Sequence, residues 1–288
     1  MVGWFKRRHT YLKRILEESE RISQAADGLR HISSAELRGR LQGMHTAFRR
    51  QKTGYEDLLP DALAALLETS DRTLHLRPYP VQVAGAIALY RGYLAEMATG
   101  EGKSLTACLS AVLSAWTGRP CHFVTVNDYL AGRDAMEMEP FYKFCGVSVG
   151  CVTSTMKPEE RRANYDKGVV YTTSKELVAD FLRDRLVMGD MHHSSRRVIR
   201  ALLAPRRREA EGLVMRGLDT AIVDEADSVL IDEAVTPLII SRAQENRPFA
   251  EASRVAGEIA EKLSPKEDYT CLLYTSDAAD EEDSVDLG

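Results

Sequence analysis

The chain has 288 residues, 44% of them hydrophobic and 28% charged, with 38 Lys and Arg against 43 Asp and Glu, a net charge of −5. These are the proportions of a globular protein with room for one large domain and an appendage, and they exclude a collagenous, low-complexity or broadly basic chain. The sequence has no apolar run long enough to span a bilayer. The start (Met1 to His9) carries positive charge without a following apolar core, so it does not read as a secretion signal. The five cysteines (Cys108, Cys121, Cys145, Cys151, Cys271) form no Cys-x-x-Cys pair and read as buried free thiols of a reducing compartment.

From about Lys6 to Arg50 apolar residues recur at helical spacing (Leu12, Ile15, Leu16; Leu37, Leu41, Met44, Phe48), predicting two amphipathic helices. A further helix starts at Leu59-Pro60-Asp61 and runs through Leu67. Strands and helices then alternate. Strands are expected over Tyr93–Met97, Cys121–Val126, Val147–Val152, Val169–Tyr171 and Leu218–Val223. Helices are expected over Leu105–Trp116, Ala131–Phe144 and Lys175–Leu186. Pro237–Ser241 reads as a further strand or an exit from the domain. Such alternation predicts an α/β fold: a parallel sheet flanked by helices, here preceded by N-terminal amphipathic helices.

Between the expected strand Tyr93–Met97 and the helix from Leu105 lies Met97-Ala98-Thr99-Gly100-Glu101-Gly102-Lys103-Ser104. A loop of small residues lets successive backbone N–H groups point inward at a polyphosphate. Gly100 and Gly102 allow the curvature, Lys103 brings a mobile positive charge, and Ser104 brings a hydroxyl for Mg²⁺. The loop sits where a helix begins, and the helix dipole favours anions there. Met97 occupies a position where the strict phosphate-loop pattern has Gly, a position that helicase-like ATPases relax. The alternative is a chance Gly-Glu-Gly-Lys-Ser in a surface loop.

Downstream, the apolar run Leu218–Val223 ends in Asp224-Glu225-Ala226-Asp227. A carboxylate at the C-terminal end of a parallel strand lies where open α/β sheets bind their ligands. Asp224 is expected to hold Mg²⁺ through water and Glu225 to orient and deprotonate the attacking water. An acidic helix start would also tolerate these carboxylates, but it leaves the apolar run before them unexplained. Loop and tetrad together imply a motor-type P-loop ATPase with ATP and Mg²⁺ as its ligands.

Five segments resemble the SecA preprotein translocase ATPase family: Pro80-Val81-Gln82, Ala95–Leu105, Val124–Asp134, Val223–Ala234 and Thr236–Ser241. The resemblance runs from roughly Ser34 to Ser241, and the Val-Asn-Asp-Tyr-Leu and Ile-Asp-Glu-Ala…Thr-Pro-Leu-Ile-Ile-Ser runs are its most specific parts. It implies a RecA-like first nucleotide-binding domain over 56–241 behind a helical segment 1–55, with 242–270 starting a protein-crosslinking domain. It implies that Gln82 contacts adenine and that Thr99, Gly100, Glu101, Gly102, Lys103 and Ser104 surround the phosphates. It also implies SecYEG-type channels, preproteins and anionic lipids as partners, a homodimer in the family, no nucleic acid, and a cytoplasmic place at the inner face of the bacterial membrane. An RNA helicase of the DEAD-box type shares the Asp-Glu-Ala-Asp tetrad, but it normally carries Pro-Thr-Arg-Glu-Leu where this chain has Val126–Leu130. An inert nucleotide-binding remnant is the non-enzyme alternative.

Val235 stands where the family usually has Arg, and Tyr171–Leu177 replaces a Tyr-Gly-Thr-Asn-type run. Between Met188 and Gly217 an insertion carries seven arginines. It reads as a solvated helical hairpin broken at Pro205 ahead of a patch for anionic lipid or nucleic acid, because Glu209 and Glu211 interrupt the charge. The run Cys271–Glu281 resembles an in-frame translation of a sequencing-library adapter, and from Asp277 onward the chain is acidic with no Lys or Arg, so 271–288 reads as a non-native tail in preference to a natural acidic terminus. No second motor domain is expected after Ser241, which predicts nucleotide binding with poor turnover.

Overall fold

Residues 2–51, 54–188, 212–233 and 247–263 are described by a computed structural model. The readings placed on Val235, Thr236–Ser241, 271–288 and most of the arginine-rich insertion lie outside them. Backbone contacts divide the chain into one unit over Met1–Ile240 and a second over Ser241–Gly288. The described part of the second unit is a helix, Arg247–Ala260, followed by a turn.

In the first unit a parallel sheet has the order β2-β3-β1-β4, with β1 at Cys121–Thr125, β2 at Val149–Cys151, β3 at Val169–Thr173 and β4 at Thr220–Val223. Cys121 pairs with Val169 and with Thr220, so β1 is a central strand. Its side chains alternate as the pleat requires. Cys121 and Phe123, with Val169 and Tyr171, join one apolar cluster; Val124 and Val170 join another on the opposite face. Each face is covered by helices, and all five residues of β1 and all five of β3 are buried, the polar His122, Thr125, Thr172 and Thr173 among them.

The larger cluster lies under α5 (Lys103–Trp116) and α6 (Asp128–Phe144) and continues into α1 (Val2–Asp27), α2 (Ser34–Arg50), α3 (Leu59–Leu74) and α4 (Pro80–Tyr90). Ile15, Leu37, Leu41 and Phe48, picked out by their helical spacing, are all buried there. Arg91, just after α4, binds Glu18 of α1 at 3.0 Å and Glu56 at 2.5 Å, fixing the helical layer to itself. Beneath α5, the hydroxyls of Tyr142 and Tyr171 lie 2.9 Å apart and both reach the Cys108 sulfur at 3.2 Å. Burial pushes the Cys108 thiol up to about 11, so it stays protonated and unreactive.

The opposite face is covered by α7 (Pro158–Tyr165) and α8 (Ser174–Met188). Arg161 of α7 is buried and reaches Asp180 of α8 at 2.8 Å and Glu176 at 2.6 Å. It also donates to the carbonyls of Thr153, Ser154 and Met156, tying the loop after β2 to both helices. His122 of β1 is 1% exposed on this side, 5.9 Å from the ring of Tyr165. Burial lowers its pKa to about 4, so the folded chain holds it neutral while the unfolded chain protonates it near 6.5. The unfolded state therefore binds the extra proton, and stability falls as pH drops from about 6.5 toward 4. Urea titrations across that window should show a flatter pH dependence for His122→Phe than for the wild type; parallel profiles would contradict this.

One expected strand is absent. Tyr93–Met97 has no regular secondary structure and joins no sheet among the described residues. Its start is held by the helical layer: Tyr93 N donates to Ala88 O at 2.9 Å, and its ring lies 4.8 Å from that of Tyr11. Leu94 is 84% exposed, so the run is not buried either.

Candidate nucleotide site

The direction of α5 decides where the Met97–Ser104 loop lies. Near its C-terminal end Ala115 packs at Gly168, just before β3. About two turns nearer its start, Cys108 meets the hydroxyl of Tyr171 in mid-strand. The helix therefore runs antiparallel to the strands. Lys103 lies about 7.5 Å further on at ~1.5 Å per residue, while β3 ends about 6.6 Å past Tyr171 at ~3.3 Å per residue. The loop thus sits at the C-terminal edge of the sheet. Asp224 and Glu225 follow directly on β4 at the same edge, with Asp224 N extending the ladder to Val124 O at 2.8 Å. Two motifs more than a hundred residues apart come to one side of one sheet.

The loop has the backbone its chemistry requires. Gly100 and Gly102 adopt φ of 86° and 77°, values that only glycine takes without strain. Gly102 is the N-cap of α5, and no side chain caps the helix there. The first N–H groups of α5 are thus left for an anion. Met97, where the strict pattern has Gly, packs its sulfur against Gly85 of α4. Thr106 approaches the same glycine so closely that a Cβ there would stand 2.8 Å from its methyl. Methionine at the loop's first position thus serves as part of the α4–α5 contact.

Gln82, on the first turn of α4, holds the loop from behind. Its Oε1 accepts from Tyr79 N at 2.9 Å and its Nε2 donates to Glu101 O at 2.8 Å. A Cβ on Gly102 would stand 2.2 Å from that nitrogen, so a larger residue there would push the Gln82 amide off the loop, while its φ of 77° already favours glycine. One amide hydrogen and one lone pair of Gln82 remain unused by these two bonds.

At the acidic end, Glu225 takes a left-handed φ of 49°, and its N–H donates to Asp224 Oδ1 at 3.0 Å. This turn reverses the chain into Ser228–Asp232, a π-helical turn anchored by buried Val229. Glu233 then reaches across to the start of α8, accepting from Ser174 Oγ at 2.7 Å and pairing with Lys175 at 3.3 Å. The Ser174 hydroxyl, followed by Lys175, holds the Glu233 carboxyl below its usual range. This clasp ties the acidic segment to the end of β3, and no sequence spacing signals it. Asn127 caps α6 through Leu130 N at 2.8 Å, and Asp128 accepts from Ser154 N and Oγ at 2.9 and 2.7 Å. Thus the Asn-Asp pair after β1 organises two loops of the same edge.

A sequence model of the SecA DEAD-like domain matches residues 1–284. This chain belongs to the SecA DEAD-like domain family. It is 48% identical over 270 residues to protein translocase subunit SecA 2 of Chlorobium chlorochromatii, covering 94% of this chain and 41% of that protein. It is 40% identical over 269 residues to SecA 2 of Magnetococcus marinus, covering 93% and 41%. With SecA of Alcanivorax borkumensis it shares 41% over 230 residues, 80% of this chain and 23% of the relative. The SecA-family chain thus spans about two fifths or less of these relatives. Among its described residues no helix is long and apolar enough to cross a membrane, and no group of three or more His, Cys, Asp or Glu is arranged to hold a metal ion.

Proposed function

We propose that this chain is the ATP-binding motor domain of a SecA-type protein translocase subunit. The observation that carries this reading is the convergence of the glycine-bent Met97–Ser104 loop and Asp224-Glu225 at one edge of the sheet. Backbone N–H groups from Gly100 to Ser104 and the Lys103 ammonium would bind the β- and γ-phosphates of ATP. The donor set suits Mg²⁺: Ser104 offers a hydroxyl, and Asp224 a carboxylate whose one recorded bond, to Glu225 N, leaves its other oxygen unused. Bound there, Mg²⁺ would neutralise charge on the phosphates. Glu225 would orient the attacking water and take its proton, and Gln82 would use its remaining donor and acceptor on adenine while steadying Glu101.

In the whole subunit, hydrolysis would drive preproteins through a SecYEG-type channel, with anionic lipids as further partners, a homodimer as an assembly, and the cytoplasmic face of the bacterial membrane as the location. Membership of the SecA family favours this over an RNA helicase or an inert remnant. In such motors this domain would form one side of a cleft that a second domain bearing an arginine closes. Under single-turnover conditions Glu225→Gln should slow hydrolysis about 100-fold or more, the usual worth of a general base, and leave ATP affinity unchanged. Equal rates for the two chains would overturn the role given to Glu225.

A further inference from the structure

The opposite, N-terminal edge of the sheet holds a cavity of about 190 Å³, walled by the turns before β1, β2 and β3 and by α2. Two of those turns pass through glycines with φ of 81° (Gly118) and 70° (Gly146), so they present backbone where other residues would fill the space. His45 and Arg49, one helical turn apart on α2, close one side. Arg119 and Arg216 close the other, and Asp166 is the one carboxylate in the lining. Positive charge therefore exceeds negative at this spot of an acidic chain. Arg119 meets Asp219 only at 3.5 Å, and Arg216 donates to Lys167 O at 3.1 Å. Arg49 lies along Gly118 and has no ion-pair partner among the described residues. At about six water volumes of ~30 Å³ each, the space is below the ~300 Å³ of a drug-sized ligand pocket.

We propose that this cavity is a second anion site, binding a phosphate group either as the free ion or as a small phosphate ester. Guanidinium groups match phosphate oxygens in pairs, so the recognition would rest on the arginine side chains, the turn N–H groups being bonded within the protein. The site is separate from the nucleotide edge and does not depend on that reading. Its test is a calorimetric titration with inorganic phosphate at constant ionic strength in a Lys103→Ala chain, where the phosphate loop no longer competes. Saturable binding should persist there and weaken about 10-fold or more in Arg49→Gln or Arg119→Gln, exposed positions whose change leaves the fold intact by circular dichroism. Glycerol 3-phosphate binding with the same Arg49 dependence would assign the site to esters, and binding of inorganic phosphate alone would assign it to the free ion. No saturable binding in the Lys103→Ala chain, or binding indifferent to both arginines, would overturn the proposal.

Discussion

Replacing Arg161 with Met should destabilise the first unit by about 3–5 kcal/mol, the cost of leaving a buried charge without its partner. The guanidinium is 5% exposed and Asp180 is 1% exposed, so water replaces little of what is lost. Asp180 would keep Tyr165 Oη at 3.0 Å and Arg183 at 3.0 Å, but Arg183 is a surface group and a weaker counter-charge. The carbonyls of Ser154 and Met156 would lose their donor at the same time, and Thr153 O would keep only Met156 N at 3.3 Å. That loop stands at the nucleotide edge, so the change should also loosen the site. Arg161→Lys keeps the charge but not the planar fork and should recover only part of the loss. Urea denaturation of the three chains measures this; a loss below about 1 kcal/mol for Met would mean that the network is already hydrated.

Lys103→Ala should weaken nucleotide binding by about 2–3 kcal/mol, roughly 30–150-fold, the worth of charge-assisted hydrogen bonds to a phosphate. The fold should not register the change. Lys103 is the first residue of α5 and only half-buried, and alanine is a good helix former. Thermal unfolding with saturating ATP and Mg²⁺ should therefore rise in the wild type and stay almost flat in the variant, while the two melt alike without ligand.

Much of the candidate site could be read in the sequence because the chemistry proposed for it needs local patterns. Gly100 and Gly102 are glycines for backbone reasons, and the apolar run before Asp224 marks a strand whose end faces the ligand edge. The strands β1 and β3 were equally legible, since Phe123, Val124 and Thr125 and the run Val169–Thr173 are β-branched or aromatic. Tyr93–Met97 has similar composition, yet Tyr11 and Ala88 draw its start to the helices; such a competition between partners is invisible in one segment. Arg161 was missed for a related reason. No element is expected over Pro158–Tyr165, whose eight residues carry four charges, and only the tertiary approach of Asp180 and Glu176 shows that one of its two adjacent arginines is buried. Gln82 carries the resemblance, but its grip on Glu101 O and its crowding of Gly102 emerge only when α4 and the loop are seen side by side.

In the proposed function the Met97–Ser104 loop and Asp224-Glu225 form one Mg²⁺–nucleotide site. A double-mutant cycle of Lys103→Ala and Asp224→Asn tests it most directly, read by equilibrium titration with a fluorescent ATP analogue in Mg²⁺. Each single change should weaken binding, and the pair should depart from additivity by more than about 0.5 kcal/mol, as groups sharing one ligand do. Strict additivity, or an affinity that neither substitution alters, would contradict the shared site.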